Sequence, residues 1–426
     1  MELKKSSIAA LIIAVSATNL LIGILIGTYF VSTYIGRFEA ELREFRNIKG
    51  DLEKIRCEIN STSRAINNIY SRLMDLNNSL SSLESKLAGL SNVSTSMEKI
   101  YSEIYYSVRD SIVLIRCVVR EETFFGVEFM EKQGSGFIYN CSGRMVVLTN
   151  YHVVSNAYSV TVTFSDGESY PANVIGYDPY IDLAVLSVDA PLDKFRPLEI
   201  VSSSTLRIGD IVVVIGNPFG LTTSFRHGIV SQLGRTIPGE MTGGFPLADV
   251  IQISVPINPG DSGSPLLNLD GKVVGIATAI ISGAQGVGFA VSSDLILKEV
   301  DYLVEHGYYD LHSWIGVAGI DMNYDIARAM NINVTYGWLI VRVFENSPAA
   351  EAGLRGGDKE VTINGKKYVI GGDVIIAIND TKIICGDNLA SYLEKYTLPG
   401  QTVKLTIIRE GRIMDVYVKL GKRPKP

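Results

Sequence analysis

The feature that most constrains this chain is an uncharged apolar run near its N-terminus. Residues 8–35, IAALIIAVSATNLLIGILIGTYFVSTYI, contain no Asp, Glu, Lys or Arg, and they exceed the roughly 20 residues that an α-helix needs to cross a bilayer. The run predicts a transmembrane anchor over residues 1–36. A cleaved signal peptide is the alternative, because small residues occur at 14–17, but the apolar run continues well past them.

The charges beside this run do not determine its orientation. Two lysines precede it and four basic residues follow it: Lys4 and Lys5, then Arg37, Arg43, Arg46 and Lys49. A long C-terminal domain can be translocated in spite of such charges. Glycosylation-type triplets all follow the run, beginning at Asn60, Asn77, Asn92, Asn140, Asn333 and Asn379. We therefore expect a single-pass protein whose later domains lie on the extracytoplasmic side.

Residues 37–108 lack proline and repeat apolar residues at alternating steps of three and four. One heptad position reads Leu52, Ile59, Ile66, Leu73, Leu80 and Leu87, and the other reads Ile55, Ile69, Leu76, Leu83, Leu90, Met97 and Ile104. Such a sustained pattern predicts a coiled coil, and isoleucine at both positions in its first half favours three strands. We expect a homotrimer or a multiple of trimers. The alternative is an amphipathic helix that packs on its own chain.

The rest of the chain divides into two predicted domains. At 426 residues the chain exceeds one ordinary core. Residues 109–305 consist of short β-branched runs between turn residues, which predicts an all-β barrel or sandwich, and a helical pattern at 294–305 ends it. Residues 312–422 mix strand patterns with two helical stretches, which predicts an α+β domain.

Composition excludes some functions. The net charge is −6 and no long basic stretch occurs, so nucleic acid is not an expected partner. The four cysteines show no CxxC or Cys/His metal spacing, which argues against a zinc site. If two of them are oxidised, Cys117 and Cys141 are the better pair, because they lie in neighbouring strand patterns. Two free, packed thiols fit the sequence equally well.

Ser262 is the candidate nucleophile. It lies in NPGDSGSPLL, residues 258–267, where Gly260 and Gly263 let the backbone curl so that successive N–H groups point one way. The same residues also favour ordinary turns. The interpretation therefore depends on a histidine and an aspartate elsewhere.

One of the four histidines is well placed for catalysis. His152 follows the strand pattern MVVLTN, where a side chain can be held rigidly and still face a cleft. Solvated or packed positions are the expectation for His227, His306 and His312. Asp182 opens the apolar run LAVLSV, and a carboxylate there needs a hydrogen-bond partner such as an imidazolium. Asp178, before Pro179, is interpreted as a turn residue.

These residues resemble a known family. TNYHVV, DPYIDLAVL, GNPFG and INPGDSGSPLL, in that order, are similar to the trypsin-like protease domain of the HtrA/Deg serine endopeptidases, and WIGVAGI, GWLIVRVFENSPAAEAGLRGGD and GGDVIIAIND are similar to their PDZ domain. The resemblance implies a chymotrypsin-like double β-barrel over 109–305 and an α+β PDZ domain over 312–422. It implies ATP-independent cleavage of unfolded or damaged proteins outside the cytoplasm, without a metal or cofactor.

The family roles fall on particular residues of this chain. The resemblance implies that His152 is the general base, that Asp182 orients it and that Ser262 is the nucleophile. It also implies an oxyanion hole formed by the backbone N–H groups of Gly260 and Ser262, with Asp261 as a further candidate. The family usually has Asn and Gly where this chain has Asp261 and Ser264. Asp261 therefore needs a donor that the sequence does not identify.

Substrate contacts are predicted on both domains. The segment after the nucleophile supplies Ala277, Ala279 and Ile280 and no charged group, which predicts cleavage after small or medium aliphatic residues. In the PDZ domain the carboxylate-binding loop is expected at Trp314, Ile315, Gly316 and Val317, where a peptide C-terminus would add to the adjacent strand. Leu389 and Leu393 are candidates for the groove wall. Residues 235–249 resemble the regulatory loop of the family, although a surface insertion fits equally well.

Three functions are consistent with these sequence features. The first is a membrane-anchored endopeptidase for protein quality control. The second is a non-catalytic chaperone or PDZ scaffold, in which the departures at Asp261 and Ser264 record lost catalysis. The third is a regulated protease that cuts a single signalling substrate.

Overall fold

The computed structural model describes residues 3–87, 97–123, 126–217, 223–238, 246–278 and 286–425, in two compact units that divide between residues 94 and 95. The first unit contains one long helix, α1, Leu3–Leu87. Its segment Lys5–Phe38 has a mean hydropathy of 2.4 and no buried residue within the chain, so by length and composition it fits a membrane span or a signal sequence. The later turns of α1 expose apolar seam residues, including Ile66 (48% exposed) and Ile69 (58%). A coiled-coil partner for this stripe stays a prediction.

A second helix, α2 (Met97–Val108), belongs to the other unit. Ile104 and Val108 are 5% and 3% exposed and pack against Ile112 in the core of the following domain. The heptad pattern placed Ile104 on the coiled-coil seam, and that assignment is wrong because this side chain is buried by its own chain. For α2, the alternative of an amphipathic helix that packs on its own chain is the correct one.

The strands that follow α2 close into two antiparallel barrels. The first barrel, in the order β1-β2-β3-β6-β5-β4, consists of β1 (Ile112–Thr123), β2 (Gly126–Cys141), β3 (Arg144–Thr149), β4 (Ala157–Thr163), β5 (Ser169–Asp178) and β6 (Leu183–Val188). A short helix, α3 (Tyr151–Val154), follows β3. The second barrel, in the order β10-β11-β12-β9-β8-β7, consists of β7 (Ile211–Gly216), β8 (Ser224–Ile237), β9 (Leu247–Ile253), β10 (Pro265–Leu267), β11 (Val273–Thr278) and β12 (Gly288–Ser292).

Burial explains why the sequences of these strands are mostly apolar. All six residues of β11 are buried, because one side of the strand faces the barrel core and the other side is covered. Helix α4 (Ser293–His306) packs its apolar stripe on the barrels and ends at Gly307, whose φ of +81° and N–H bond to the Leu303 carbonyl form a left-handed cap. Glu299 lies on the same buried face.

The C-terminal domain is a small sheet flanked by helices. Its strands are β13 (Ser313–Trp314), β14 (Val317–Asp321), β15 (Trp338–Val343), β16 (Lys359–Ile363), β17 (Lys366–Ile370), β18 (Val374–Ile378), β19 (Thr381–Lys382), β20 (Thr402–Arg409), β21 (Arg412–Lys419) and β22 (Gly421–Lys422). Its helices are α5 (Tyr324–Ala329), α6 (Pro348–Glu351) and α7 (Gly386–Tyr396). In the main sheet, β14 is an edge strand beside β15. An edge strand leaves backbone groups open to an added strand.

Cys117 and Cys141 are free thiols, both buried. Cys117 lies in the core cluster of the first barrel, whereas the Cys141 thiol donates to Asp301 Oδ1 at 2.9 Å. Burial raises the pKa of Cys117 to about 11, so its reactive thiolate form is scarce at neutral pH. Of the two alternatives left open by the sequence, the structure has the packed thiols.

Candidate active site

His152 and Asp182 form a close pair at the end of the first barrel. The ring of His152, on α3, places Nδ1 2.8 Å from Asp182 Oδ2. The backbone N–H of His152 donates to Asp182 Oδ1 at 2.9 Å, and the N–H of Tyr151 donates to the Asp182 carbonyl at 3.1 Å. Asp182 itself has a φ of +56°, which turns its carboxylate back towards α3 just before β6 begins. The imidazole is therefore held at Nδ1, and Nε2 is the nitrogen that can take a proton.

Thr278 is a third partner of this pair that the sequence did not reveal. Its hydroxyl donates to Asp182 Oδ2 at 3.0 Å from the last position of β11. The Asp182 side chain is 3% exposed and the His152 side chain 15% exposed. A buried carboxylate needs donors, and here two come from His152 and one from the second barrel. The sequence gives little indication of this role for Thr278, because a threonine at the end of a buried strand is common.

Ser262 is held by both barrels. Its carbonyl accepts the N–H of Ser135 on β2 at 2.8 Å, and the next residue, Gly263, donates to the Ala277 carbonyl on β11 at 3.0 Å. Ala277 is followed by Thr278, the donor to Asp182. On the other side, Gly134 packs so closely that a Cβ there would lie 2.7 Å from the side chain of Val153, next to His152. The turn that carries Ser262 is thus attached to β2, which packs against α3 beside His152, and to β11, which reaches Asp182 through Thr278.

The glycine after Ser262 is required by its surroundings. Gly263 has a φ of +89°, and a Cβ at this position would come within 1.9 Å of the Ser135 carbonyl oxygen and 2.3 Å of Thr149 Oγ1. No side chain fits there. The backbone of the turn that carries Ser262 can therefore approach the first barrel only because this residue is glycine.

Asp261 has the donor that the sequence left unidentified, and it is Arg226 on β8. Arg226 Nη2 donates to Asp261 Oδ1 at 2.9 Å, while Nη1 donates to Oδ2, which also accepts the N–H of Asn258 at 2.8 Å. The Asp261 side chain is 1% exposed and the Arg226 side chain 23% exposed. Such a bidentate pair neutralises the buried charge and positions the turn that precedes Ser262.

The predicted oxyanion hole is only partly available. Gly260 has a φ of +93°, and its carbonyl accepts the hydroxyl of Ser135 at 2.8 Å, which orients the peptide between 260 and 261. The N–H of Asp261 donates to the Asn258 carbonyl at 2.9 Å. Because that N–H is already engaged, we exclude Asp261 and retain Gly260 and Ser262 as the candidate donors.

Ser264, the second departure from the family pattern, fits because of a glycine opposite it. Its N–H donates to the Asp261 carbonyl at 2.9 Å and its carbonyl accepts the N–H of Ala277 at 2.8 Å. A Cβ on Gly216 would lie 2.3 Å from the Ser264 hydroxyl. The hydroxyl is buried and has no hydrogen-bond partner among the described residues.

The predicted specificity residues are only partly within the structure. Ala277 is fully buried, and its side chain belongs to the core cluster of the second barrel. Ala279 and Ile280 lie outside the described residues, as do residues 239–245 of the predicted regulatory loop. The assignment of a pocket wall to Ala277, Ala279 and Ile280 stays a prediction.

A groove of about 320 Å³ lies between β14 and α7. The predicted carboxylate-binding loop contributes Trp314, Ile315, Gly316 and Val317 to its wall, and α7 contributes Leu389 and Leu393. Gly316 has a φ of +86°, and a Cβ there would lie 2.2 Å from the Cβ of Ser347. The loop, the edge strand and the apolar helix face therefore occur together, as strand addition of a peptide requires.

The opposite face of α7 contacts the second barrel. Asp387 accepts Arg235 Nη1 at 2.9 Å and the N–H of Thr236 at 3.1 Å. One turn later Ser391 donates to the Gly234 carbonyl at 3.2 Å, and one turn after that Lys395 pairs with Asp294 on α4 at 3.0 Å. One helix thus contacts the groove on one face and the end of β8 on the other.

The remaining histidines lie outside this site. His227 and His306 are exposed, and His306 stacks on Tyr302 with ring centroids 4.1 Å apart. His312 is 1% exposed and contacts two carboxylates. One of them is Asp178, which also accepts the N–H of Tyr180 at 2.8 Å, as expected of a turn residue.

Comparisons with known proteins agree with this architecture. Residues 134–276 match the trypsin-like peptidase domain, and residues 315–420 match the PDZ domain. The chain is 37% identical over 302 residues to a probable periplasmic serine endoprotease DegP-like from Hahella chejuensis, and 36% identical over 295 residues to one from Chlamydia trachomatis serovar D. These alignments cover 70% and 68% of this chain but 59% and 54% of the relatives. The chain therefore spans little more than half the length of these curated relatives.

Solved structures show the same fold. The HtrA-type protease AlgW with a tripeptide matches with a TM-score of 0.59 and 29% identity, covering 76% of this chain and 98% of that one. The serine endoprotease from Yersinia pestis matches with a TM-score of 0.52 and 26% identity, covering 78% of this chain and all of that one. The chain is a member of the HtrA/Deg family, with a trypsin-like peptidase domain followed by a PDZ domain.

Proposed function

We propose that this chain is a serine endopeptidase. The observation that supports it most is the pair of His152 Nδ1 and Asp182 Oδ2 at 2.8 Å, which contacts the two strands, β2 and β11, that hold the turn of Ser262. A serine hydroxyl is a weak nucleophile until a neighbouring imidazole accepts its proton. The geometry supplies the orienting carboxylate, the imidazole and a serine on a glycine-flanked turn.

The proposed reaction has two halves. Ser262 Oγ attacks the scissile carbonyl carbon and its proton passes to His152 Nε2, while Asp182 stabilises the imidazolium. The imidazolium then donates the proton to the leaving amine, the C–N bond breaks, and an acyl group remains on Ser262. Water, activated by the same imidazole, hydrolyses this ester and regenerates the hydroxyl.

The oxyanion of each tetrahedral intermediate is assigned to the backbone N–H groups of Gly260 and Ser262. A donor of this kind contributes about 3 kcal/mol to transition-state stabilisation. The Arg226 pair supports the arrangement, because it holds Asp261 between the two donors.

The proposed substrates are unfolded or damaged proteins, cleaved without ATP after small or medium aliphatic residues. The uncharged segment with Ala277, Ala279 and Ile280 supports this preference. The relatives are named periplasmic endoproteases, which supports an extracytoplasmic position for the domains after α1. The PDZ groove is proposed to bind peptide C-termini with an apolar last residue, since Leu389, Leu393 and Trp338 line it.

Anchoring and assembly are part of the proposal. The helix Lys5–Phe38 would anchor the chain in the membrane. The exposed stripe that includes Ile66 and Ile69 would pair with the same stripe of two further chains, because an apolar seam in water is stable only when it is covered.

A regulated protease is the second candidate, and α7 is the observation that favours it. The helix lines the peptide groove with Leu393 and contacts the end of β8 through Asp387 and Ser391. A bound peptide could therefore act on the end of β8 through these contacts. The non-catalytic scaffold is disfavoured, because His152, Asp182 and Ser262 are all present.

The full chain in detergent tests the proposal. Ser262→Ala is expected to lose casein cleavage by about 10⁴-fold or more while its circular dichroism spectrum is unchanged. A fluorophosphonate probe should label the native chain and not Ser262→Ala, and labelling with and without a C-terminal peptide separates the regulated protease from the constitutive one. Undiminished cleavage by Ser262→Ala would refute the assignment.

A further inference from the structure

A buried cluster of ionisable groups lies away from the proposed active site, where the two domains meet. Asp178 ends β5 of the first barrel, Glu299 lies on α4, and His312 precedes the first strand of the PDZ domain. Asp178 and Glu299 are 0% exposed and His312 is 1% exposed. One ligand atom of each residue lies within 4.8 Å of the others. We call these three residues the linker cluster.

Glu299 is the residue that ordinary packing does not explain. Among the described residues, neither of its carboxylate oxygens accepts a hydrogen bond from a donor group, although both are buried. Asp178 is a neighbouring acid, and two carboxyl groups bond each other only if one of them carries a proton. Burial and the charge of Asp178 raise the pKa of Glu299 well above its ordinary value. Buried carboxylates are stable when a donor or a cation faces them.

His312 has the surroundings of a metal-binding imidazole. Its Nε2 lies 2.8 Å from Asp178 Oδ2, and its Nδ1 lies 2.6 Å from Glu394 Oε1. The second oxygen of Glu394 is paired with Arg423 at 2.7 Å. Histidine ligands of metals usually donate their other ring N–H to a carboxylate, which fixes the ring and raises the basicity of the ligating nitrogen. Glu394 is placed to accept that N–H.

We propose that Asp178, Glu299 and His312 bind one zinc ion. Two carboxylates and an imidazole are ligands that zinc accepts at about 2.0–2.2 Å. Ligand atoms around such an ion lie about 3.3–3.5 Å apart, so His312 Nε2 and Asp178 Oδ2, which are 2.8 Å apart, have to separate slightly. The ion gives a Glu299 oxygen that now lacks a donor a partner of opposite charge. It also ties the linker before the PDZ domain to β5 and α4 of the protease domain.

Direct zinc binding by the full chain in detergent tests this proposal. After treatment with EDTA, the chain is dialysed against micromolar zinc chloride and its zinc content is measured by mass spectrometry. We expect one tightly held zinc per chain that Glu299→Gln and His312→Asn both lose. Glu394→Gln keeps the ligands but removes the carboxylate partner of His312, and we expect its zinc affinity to fall about 10- to 100-fold.

Two variants control for other sites. His306→Asn removes an exposed histidine on α4, and His152→Ala removes the imidazole of the proposed active site. Both variants should bind one zinc per chain, as the native chain does. If Glu299→Gln does not fold, the native chain alone decides, since its melting temperature should rise with zinc and it should hold one equivalent. The proposal would be overturned if the native chain bound no stoichiometric zinc, or if Glu299→Gln bound as much zinc as the native chain. Either result would favour a proton shared between Glu299 and Asp178.

Discussion

Arg226 holds Asp261 in a bidentate ion pair next to the proposed nucleophile. The guanidinium comes from β8 and reaches a carboxylate that is 1% exposed, with Nη2 and Oδ1 2.9 Å apart. A side chain of the same domain therefore supplies the counter-charge that the buried Asp261 carboxylate needs.

We expect Arg226→Ala to impair catalysis and stability together. It leaves the Asp261 carboxylate buried without its counter-charge, which should lower the free energy of unfolding by about 3 kcal/mol. Because the turn before Ser262 loses its support, kcat should fall more than KM rises. Casein or peptide hydrolysis and urea unfolding measure the two effects, and Arg207→Ala, at an exposed arginine, is the control.

Two further variants of this pair separate charge from geometry. Arg226→Lys keeps the charge but cannot bind both oxygens, so it should recover only part of the activity. Asp261→Asn combined with Arg226→Gln removes both charges and should be closer to the native chain than Arg226→Ala. Native kcat/KM in Arg226→Ala would show that the pair does not position the turn.

The residues that contact the candidate active site were harder to predict than the candidate residues themselves. His152, Asp182 and Ser262 each lie in a local pattern of strand end, turn or glycine pair, which one segment of sequence displays. Arg226 is 35 residues before Asp261, and only the register of β8 in the barrel brings them together. No local pattern marks an arginine in a strand as the partner of a distant acid.

The heptad pattern predicted too much, because it assigned a coiled-coil partner to a residue that packs within its own chain. Ile104 continues the spacing of the seam, yet it is buried against Val108 and Ile112 in the protease domain. Spacing predicts which residues of a helix share a face but does not predict what covers that face. The strand runs were informative because burial on both sides makes β11 apolar as far as Thr278, its last residue.

Thr278 is predicted to contribute to catalysis through Asp182. Thr278→Val removes one of three hydrogen bonds to this carboxylate with little change in volume. A bond to a charged group is worth about 1.5–3 kcal/mol, so we expect kcat to fall by roughly 10- to 100-fold with KM nearly unchanged. Steady-state kinetics on a peptide substrate measure this. Thr278→Ser keeps the hydroxyl and should keep most of the activity, whereas an equal loss in both variants would point to packing.

The pair of Asp387 and Arg235 is predicted to couple the PDZ groove to the protease domain. Their side chains are 22% and 46% exposed, so the pair contributes less than about 1 kcal/mol to stability. In Asp387→Ala, the ratio of cleavage with a C-terminal peptide to cleavage without it should move towards one. Glu351→Ala removes an exposed acid of the PDZ domain elsewhere and should keep the native ratio. An unchanged ratio in Asp387→Ala would assign the coupling to other contacts of α7.

The exposed seam of α1 predicts the oligomeric state. Ile66 and Ile69 are 48% and 58% exposed in the single chain. If these positions form a coiled-coil seam, charged residues placed there would be buried, which opposes assembly. The native chain in detergent should sediment as a trimer or a multiple of it, and the double variant Ile66→Asp, Ile69→Asp as smaller species. Asn68→Asp combined with Ser71→Asp adds the same charge off the seam and should leave the assembly intact. A monomeric native chain would contradict the prediction.

Leu393 is predicted to set the preference of the PDZ groove for an apolar C-terminal residue. It lines the groove from α7 together with Leu389, but it is the less buried of the two, so a polar substitution there disturbs the core less. Leu393→Asp places a carboxylate opposite the apolar end of the peptide and near its terminal carboxylate, and both effects oppose binding. Fluorescence anisotropy with a labelled peptide ending in Val or Phe should show at least about tenfold weaker binding, which corresponds to 1.4 kcal/mol. Tyr396→Asp adds the same charge at an exposed position of the helix and should bind normally. Equal loss in both variants would mean that net charge, and not the groove wall, governs recognition.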